Sequence, residues 1–316
     1  MCSSNSEFVT APLGASWAAL WCFEEEEAAA LRLLDAWPAG APVALRLAVV
    51  GRHRFPDGEL RIRVPTPVPH RVVIWRGLQQ PNEKLVELLL VARTARAHGA
   101  RHLTLITPYL GYMRQDMEFE SGEAVSQRIV GDFLAELFDA VITVDPHLHR
   151  VATLGEAVPV AQPVVLSGAP ALADWIARER PGALLLGPDA ESEQWVNQAA
   201  ARIGHDSAVC RKVRHGDRAV EIELPPLDFS GRSVVILDDV ASSGHTVAQA
   251  ARLLLAAGAA SVDVAVTHAL FAHDAEAVLR AAGVGAIWSA DSIPHSSNVV
   301  ALAPLLARAL RELIPG

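Results

Sequence analysis

Short runs of Val, Ile and Leu alternate along the chain with segments rich in Ala, Leu and Arg whose apolar positions recur every three to four residues. The short runs are apolar on both faces, which is typical of parallel strands covered by helices on both sides. The pattern therefore predicts an α/β fold with mainly parallel sheets flanked by helices. The runs expected to form strands are 72–75, 103–106, 141–144, 183–186, 233–237 and 262–266.

Two stretches of the chain are similar to each other and predict a duplicated fold. Residues 92–110 and 251–270 share a helical segment, a Gly-Ala turn, a strand and a threonine near its end. A second pairing sets 141–147 (VITVDPH) against 234–240 (VVILDDV), each with an acidic residue at a strand end, where ligands of open α/β sheets bind. Because Pro and Gly interrupt the pattern between the two halves, we expect domains of residues 1–155 and 156–316, with the last helix packing back on the first domain.

Composition narrows the possible partners. The formal net charge of -9 argues against a nucleic-acid-binding surface, which needs an excess of Lys and Arg. Three scattered cysteines fit neither a disulfide framework nor a thiolate metal site and favour a reducing cytoplasm. No apolar run approaches the roughly 20 residues that span a bilayer, so no membrane partner is expected.

The segment 233–246 (SVVILDDVASSGHT) is the clearest candidate site. An apolar strand ends in two acids and is followed by a short loop of small residues before a helix. Such a loop lets backbone N–H groups, hydroxyl groups and the helix dipole converge on one phosphate, whereas carboxylates accept hydrogen bonds from sugar hydroxyls or hold a divalent cation. The segment therefore indicates a sugar-phosphate site formed by Asp238, Asp239, Ser242, Ser243, Gly244, His245 and Thr246.

This segment resembles the phosphoribosyl pyrophosphate motif of type I phosphoribosyltransferases. Two further segments, 55–59 (FPDGE) and 108–116 (PYLGYMRQD), are similar to motifs of the ribose-phosphate pyrophosphokinases. That resemblance implies two similar phosphoribosyltransferase type I-like domains and transfer of the pyrophosphoryl group of ATP to O1 of ribose 5-phosphate, giving phosphoribosyl pyrophosphate and AMP. It also implies Mg2+ as cofactor and a homo-oligomer, at least a dimer, because in this family a neighbouring subunit completes the ATP site.

The resemblance also assigns roles to single residues. Asp238 and Asp239 would face the ribose, and the loop after them would wrap the 5-phosphate. His147 and Asp189 would contact the metal, and Lys212 and Arg214 would begin a mobile catalytic loop. The implied ATP-binding residues are Phe55, Asp57, Glu59, Arg114, Gln115, Asp116 and His147.

Three departures from the family pattern accompany the resemblance. Met117 follows Arg-Gln-Asp where a second basic residue is usual, and the acidic segment 191–195 replaces a glycine-rich turn that binds pyrophosphate. We expect the two glutamates of that segment to repel pyrophosphate. Residues 17–23 and the four glutamates after them also stand where the family has its amino-terminal strand and small-residue loop, so we expect that strand to be absent.

Three other interpretations remain open. A simple phosphoribosyltransferase would carry a nucleobase-binding hood, which the chain does not supply, and would not need the first domain. The altered turn also fits a non-catalytic regulatory homologue of the pyrophosphokinases. Finally, Asp145, His147 and His149 could begin a zinc site, although no neighbouring motif adds a further ligand.

Overall fold

The computed structural model describes residues 17–215, 219–272 and 274–314. Within them lie sixteen strands, β1 to β16 in chain order: Trp17–Cys22, Ala44–Val49, Gly51–Arg54, Leu60–Arg63, Arg71–Trp75, His102–Thr107, Ala140–Val144, Gln162–Leu166, Leu184–Gly187, Ser207–Val209, Arg211–His215, Ala219–Glu223, Ser233–Ala241, Ser261–Ala269, Ile287–Ala290 and Asn298–Val300. The described α-helices, α1 to α9, are Glu27–Asp35, Pro81–Ala97, Ser126–Leu137, Leu154–Ala157, Ala169–Glu179, Glu193–Ile203, His245–Ala256, Ala275–Ala281 and Ala303–Leu313.

The strands form two parallel sheets and two antiparallel hairpins. The first sheet has the order β2-β1-β5-β6-β7-β8, and the second has the order β10-β9-β13-β14-β15-β16. The hairpins are β3-β4 and β11-β12. All six strands expected from the apolar runs are present, and the prediction of an α/β fold with two similar domains is confirmed.

The duplication extends to every strand. Each strand of the first sheet has a counterpart in the same position of the second sheet, and each domain adds one hairpin after its second strand. The similarity between 92–110 and 251–270 is the pair α2-β6 and α7-β14. The pairing of 141–147 with 234–240 is wrong, because β7 corresponds to β15 whereas β13 corresponds to β5. The sequence of an apolar strand that ends in an acid is similar at any position in a sheet. The local sequence therefore could not show which strands of the two sheets correspond.

The amino-terminal strand expected to be missing is present. Residues Trp17–Cys22 form β1, which pairs with both β2 and β5 inside the first sheet. Five of its six residues are buried. The four glutamates suggested that the strand was replaced. They instead follow the strand, where they form a short 3-10 helix at Glu24–Glu26 and the first residue of α1. The sequence also predicts disorder for residues 1–16, a segment that lies outside the described residues.

The two domains share apolar surface. The first sheet continues to Leu166 at the end of β8, eleven residues beyond the expected boundary at residue 155. Helix α9, the last described helix, packs against α1, β7 and β8 of the first domain. One core contains Leu20 and Ile142 from the first sheet, Leu185 and Val235 from the second, and Leu306 from α9. This shared core holds the carboxyl ends of β7 and β13 close to each other.

Among the described residues, the structure contains no helix that combines the length and apolar character needed to cross a membrane.

Candidate active site

The main candidate site is a cavity of about 360 Å³ between the two domains, at the carboxyl ends of β7, β9 and β13. Residues of both domains line it. Its position agrees with the expectation that ligands of open α/β sheets bind at strand ends. The lining residues are Arg114, His147, His149, Asp189, Glu191, Trp195, Asp238, Asp239, Val240, Ala241, Ser242, Ser243, Gly244, His245, Thr246 and Val247.

The predicted phosphate loop forms one wall of this cavity. Strand β13 ends at Ala241, and α7 begins at His245 with Gly244 as its N-cap. Gly244 has φ +72°, in the left-handed region, and a Cβ atom there would lie 3.3 Å from the carbonyl oxygen of Ala275. Only glycine adopts this turn without strain. The turn directs the first N–H groups of α7 and the neighbouring hydroxyl groups to one wall of the cavity, which suits a phosphate.

The tandem acids lie at the mouth of the cavity. Burial raises the pKa of Asp238 well above its usual value, and repulsion from Asp239 and then from Asp189 raises it further. Burial also acts to raise the pKa of Asp239, but the hydrogen bond and charge of His147 outweigh it and lower the pKa. His147 Nδ1 lies 2.8 Å from Asp239 Oδ2. The two neighbouring carboxyls therefore differ in proton affinity.

Asp145 serves as a bridge between the domains. Its buried carboxylate accepts hydrogen bonds from Gly168 N at 2.9 Å, Thr267 Oγ1 at 2.7 Å and Trp195 Nε1 at 3.2 Å. Three donors on two oxygens leave little room for a metal ion, so Asp145 does not join the zinc site considered from the sequence. Its position instead fixes the end of β7, from which His147 reaches across to Asp239.

The acidic segment after β9 is part of the cavity wall. Asp189 Oδ1 accepts from the backbone N–H groups of Glu191 at 3.1 Å and Ser192 at 3.3 Å, which caps the short 3-10 helix Ala190–Ser192. Glu191 lies in the cavity and contacts His149, whose Nδ1 is 3.1 Å from Glu191 Oε1. The glutamate that we expected to repel pyrophosphate is thus paired with a histidine.

The expected ATP-binding residues separate into three groups. Arg114 and His147 line the cavity. Gln115 instead bonds Met117 O and Glu123, and the buried Asp116 accepts from Arg150 Nη1 at 2.6 Å, so neither belongs to the cavity lining. Phe55, Asp57 and Glu59 lie in the turn between β3 and β4, also outside the lining, and Phe55 is 38% exposed.

The expected catalytic residues Lys212 and Arg214 lie on β11. This strand pairs with β12 in an antiparallel hairpin, in which Lys212 is opposite Ile222 and Arg214 opposite Val220. The segment expected to begin a mobile catalytic loop thus contains two paired strands.

Three residues of the cavity lining, His149, Glu191 and Trp195, were not among the site residues expected from the sequence. His149 was considered only for the zinc site, from its alternation with His147 after a strand. Glu191 and Trp195 were considered only as part of the altered turn after β9, which the structure places in the cavity wall. In the described parts of the chain, no three His, Cys, Asp or Glu side chains converge as a complete metal site.

Comparisons with known proteins agree with this geometry. Residues 40–137 match the model of the N-terminal domain of ribose phosphate pyrophosphokinase, and residues 161–282 match that of the phosphoribosyl transferase domain. A ribose-phosphate pyrophosphokinase of Methanopyrus kandleri is 36% identical over 84% of this chain and 91% of its own length. Ribose-phosphate pyrophosphokinase 1 of Archaeoglobus fulgidus is 36% identical over 81% of this chain and 89% of its own. A solved phosphoribosylpyrophosphate synthetase from Mycobacterium smegmatis, 22% identical, has the same fold, with a TM-score of 0.78 over 94% of this chain and 98% of its own.

Proposed function

Because the chain belongs to the ribose-phosphate pyrophosphokinase family, we propose that its cavity transfers the pyrophosphoryl group of ATP to O1 of ribose 5-phosphate. The observation that carries the proposal is the meeting of two half-sites in one cavity. The acids and the phosphate loop come from the second domain, and Arg114 and His147 come from the first.

Ribose 5-phosphate binds at the end of β13. Its phosphate lies in the loop from Ser242 to Thr246, where N–H and hydroxyl donors stabilise the negative charge without a basic side chain. Its ring hydroxyls donate to Asp238 and Asp239, which repel any phosphate placed beside them. This division of donors and acceptors fixes the direction of the sugar, so that C1 points away from the loop.

ATP binds on the side of the first domain. The guanidinium of Arg114 offers several donors in one plane for the phosphate oxygens, and His147 lies between this side and Asp239. Phe55, Asp57 and Glu59 contact the adenine of ATP bound to a neighbouring subunit, so the active form is a homo-oligomer. Their exposed turn, remote from the cavity of their own chain, supports this arrangement.

Mg2+ fits the carboxylates of the cavity. The cavity would hold Mg2+ through one or two carboxylates such as that of Asp189, together with the phosphates of ATP, which is how this ion is usually bound. Burial, and then repulsion from Asp239 and Asp189, raise the pKa of Asp238, and a dication would relieve that repulsion. When bound, Mg2+ neutralises charge on the ATP phosphates.

In the reaction, a bond forms between O1 of the ribose and the β-phosphorus of ATP, and the bond from that phosphorus to the α-phosphate oxygen breaks. AMP leaves with the electron pair, and the proton of the hydroxyl is released to the cytoplasmic solution. Holding the two substrates in line is the main task of the protein. Lys212 and Arg214 close over the phosphates, stabilise the charge of the transition state and exclude water.

The proposal is tested by incubating the protein with Mg2+, ATP and ribose 5-phosphate and measuring AMP and phosphoribosyl pyrophosphate together. We expect equal amounts of both products. Binding of ribose 5-phosphate without AMP would contradict the proposal and favour a non-catalytic regulatory homologue. AMP without phosphoribosyl pyrophosphate would mean that water, and not the ribose hydroxyl, accepts the transferred group.

A further inference from the structure

The β3-β4 hairpin has two sides with different chemistry. Facing residues of an antiparallel pair lie on the same side, and neighbours along a strand alternate between the sides. One side carries Arg52 and Arg54, whose guanidinium groups form ion pairs with glutamates of α2. The other, outer side carries His53, then Arg61, which is opposite His53, and Arg63, two residues further along β4. All three side chains of the outer side are exposed.

The arginines of the outer side have no carboxylate partner. Within the part of the chain that the structure describes, neither Arg61 nor Arg63 forms an ion pair, in contrast to Arg52 and Arg54. Arg63 lies over Gly51, where a Cβ atom would be 3.5 Å from its Nε atom, so the residue opposite Arg63 leaves it uncovered. In a protein of net charge -9, these two guanidinium groups can therefore bind an anion from outside the chain.

An aromatic ring lies at the turn end of the outer side. Phe55 follows β3 directly, is 38% exposed, and has its ring centroid 6.0 Å from Arg61 Cζ and 4.9 Å from that of His53. Arg63 lies about 7 Å further from the turn than Arg61, since each strand residue rises about 3.4 Å. A nucleotide has the same order of groups, a flat base that stacks on aromatic rings and then phosphates that arginine forks bind. The outer side therefore fits a nucleoside polyphosphate.

The cavity between the domains has the opposite charge. Among the described residues that line it, Asp189, Glu191, Asp238 and Asp239 are carboxylates, and Arg114 is the one Lys or Arg. ATP brings further negative charge into this space, so its phosphates need cations that this lining does not supply. The hairpin lies outside the lining of the cavity in its own chain. Its cations complement the cavity of a second copy.

We propose that Arg61 and Arg63 of one subunit bind the phosphate oxygens of ATP in the cavity of the neighbouring subunit. The inference rests on the proposed function, in which Phe55 contacts the adenine of that ATP, and it adds the phosphate-binding cations of the same hairpin. Arg61, the nearer of the two to Phe55, contacts the phosphate next to the ribose, and Arg63 contacts the phosphates beyond it.

The first test is calorimetry of the full chain with Mg2+ and α,β-methylene-ATP, in which the bond that breaks in the reaction is replaced. We expect Arg61→Ala and Arg63→Ala each to weaken binding about 10-fold, the effect of losing a hydrogen bond to a charged group. Arg54→Ala is the matched control, because Arg54 lies on the other side of the same hairpin and pairs with Glu83. It should bind as the wild type does, and circular dichroism should show that all variants are folded. Equal affinities in all three variants, or no binding by the wild type, would overturn the inference.

Mixed oligomers show which subunit supplies the arginines. Arg114→Ala alters the cavity, and the double variant Arg61→Ala/Arg63→Ala alters the hairpin. After the two proteins are dissociated and reassociated together, with hybrids verified by native mass spectrometry, we expect a class of sites with wild-type affinity. In these sites an intact hairpin of one chain meets an intact cavity of the other. A mixture of Arg61→Ala with Arg63→Ala is the control and should restore none, because each hairpin lacks one arginine. A monomeric wild type, or hybrids without restored sites, would overturn the inference.

Formation of AMP from ATP and ribose 5-phosphate is measured separately. Binding of the analogue that depends on both arginines, without formation of AMP, would contradict only the proposed function. Formation of AMP at limiting ATP that is equally fast in the wild type, Arg61→Ala and Arg63→Ala would contradict only the inference.

Discussion

The ends of β5 and β13 are counterparts in the duplicated fold, yet they carry opposite chemistry. Trp75 pairs with Ile106 on β6 as Leu237 pairs with Ala265 on β14, so the next residues, Arg76 and Asp238, occupy equivalent places. A helix follows each strand, α2 in the first domain and α7 in the second. One end carries a buried cation and the other a pair of acids.

The end of β5 is neutralised by its own side chains. The guanidinium of Arg76, 1% exposed, contacts Glu87 and lies 2.8 Å from Glu25 and 3.0 Å from Glu26. Burial acts to raise the pKa of Glu25, but hydrogen bonds from its own backbone N–H, Arg76 and Arg52 lower it to about 2. Lys84 Nζ donates to Gly77 O at 2.6 Å. Both Nη atoms of Arg76 are therefore paired with carboxylates of the protein, and its buried Nε has no partner among the described residues.

The end of β13 is arranged in the opposite way. Asp238, Asp239 and Asp189 crowd one another at the open cavity, and the loop after them directs N–H and hydroxyl groups at the same space. At the end of β5 the charges are paired with one another, whereas at the end of β13 Asp238 faces two further carboxylates, and Asp239 is paired with His147. Residues with such perturbed pKa values in a cleft are candidates for a binding site. Of the two ends, that of β13 is therefore the one that we propose for the sugar phosphate.

The largest expected effect is the loss of the buried cation in the first domain. Arg76→Met would remove the buried cation that lies between the buried Glu26 and Glu87, leaving Glu26, of its described partners, only its hydrogen bond from Gly77 N and Glu87 only Arg52. This should lower the free energy of unfolding by about 3 kcal/mol. Arg54→Met removes the exposed pair with Glu83 and is the control. The measurement is the urea concentration at the midpoint of unfolding of each variant. Equal midpoints would show that the cluster around Arg76 does not stabilise the fold.

The next effect concerns catalysis in the second domain. Lys212→Ala should lower kcat by about 10²- to 10³-fold, the range for loss of one group that stabilises transition-state charge, with little change in the affinity for ATP. Arg211→Ala, which removes the neighbouring cation of β11 that the family resemblance does not assign to catalysis, should retain kcat. Steady-state rates of AMP formation measure both variants. A large loss in Arg211→Ala together with normal turnover in Lys212→Ala would reverse the assignment.

A smaller effect is expected on the melting temperature, where substitutions of Asp238 and Asp239 should act in opposite directions. The pKa of Asp238 is raised in the folded protein, so its ionisation destabilises the fold as the pH rises from the unfolded carboxyl value of about 3.9 through the folded value. Asp238→Asn should therefore raise Tm, increasingly so from pH 5 to pH 8.

Asp239 provides the control of opposite sign. Its lowered pKa stabilises the fold above the unfolded carboxyl value, a contribution that is lost as the pH falls through the folded value. Asp239→Asn should therefore lower Tm at neutral pH. If both variants shifted Tm in the same direction at pH 7, the difference between the two carboxyls would be contradicted.

The ends of β5 and β13 also show which features of the structure could be predicted from the sequence. The phosphate loop was predictable because its donors are consecutive residues between an apolar strand and a helix. The six expected strands were predictable because they are apolar on both faces. Strand β1 was misjudged because its glutamates looked like a replacement of the strand rather than its continuation.

Contacts between distant segments could not be predicted. The Arg76 cluster joins residues that are up to 51 positions apart, and the pairing of Glu191 with His149 depends on how the domains meet. Neither follows from local spacing. The roles of Lys212, Arg214, Phe55, Asp57 and Glu59 remain predictions that stem from the family resemblance.

The most direct test of the account is the affinity for ribose 5-phosphate, measured by calorimetry on Gly244→Ala and Gly204→Ala. Both glycines have a positive φ, +72° at the N-cap of α7 and +69° at the C-cap of α6, so both substitutions introduce left-handed backbone strain, and at Gly244 the added Cβ also lies 3.3 Å from Ala275 O. Only Gly244 lies in the phosphate loop. We predict one ribose 5-phosphate per chain, bound about 10-fold more weakly by Gly244→Ala, the effect of roughly 1–2 kcal/mol of left-handed strain, and normally by Gly204→Ala. Equal affinities in the two variants would contradict the claim that the end of β13 binds the sugar phosphate.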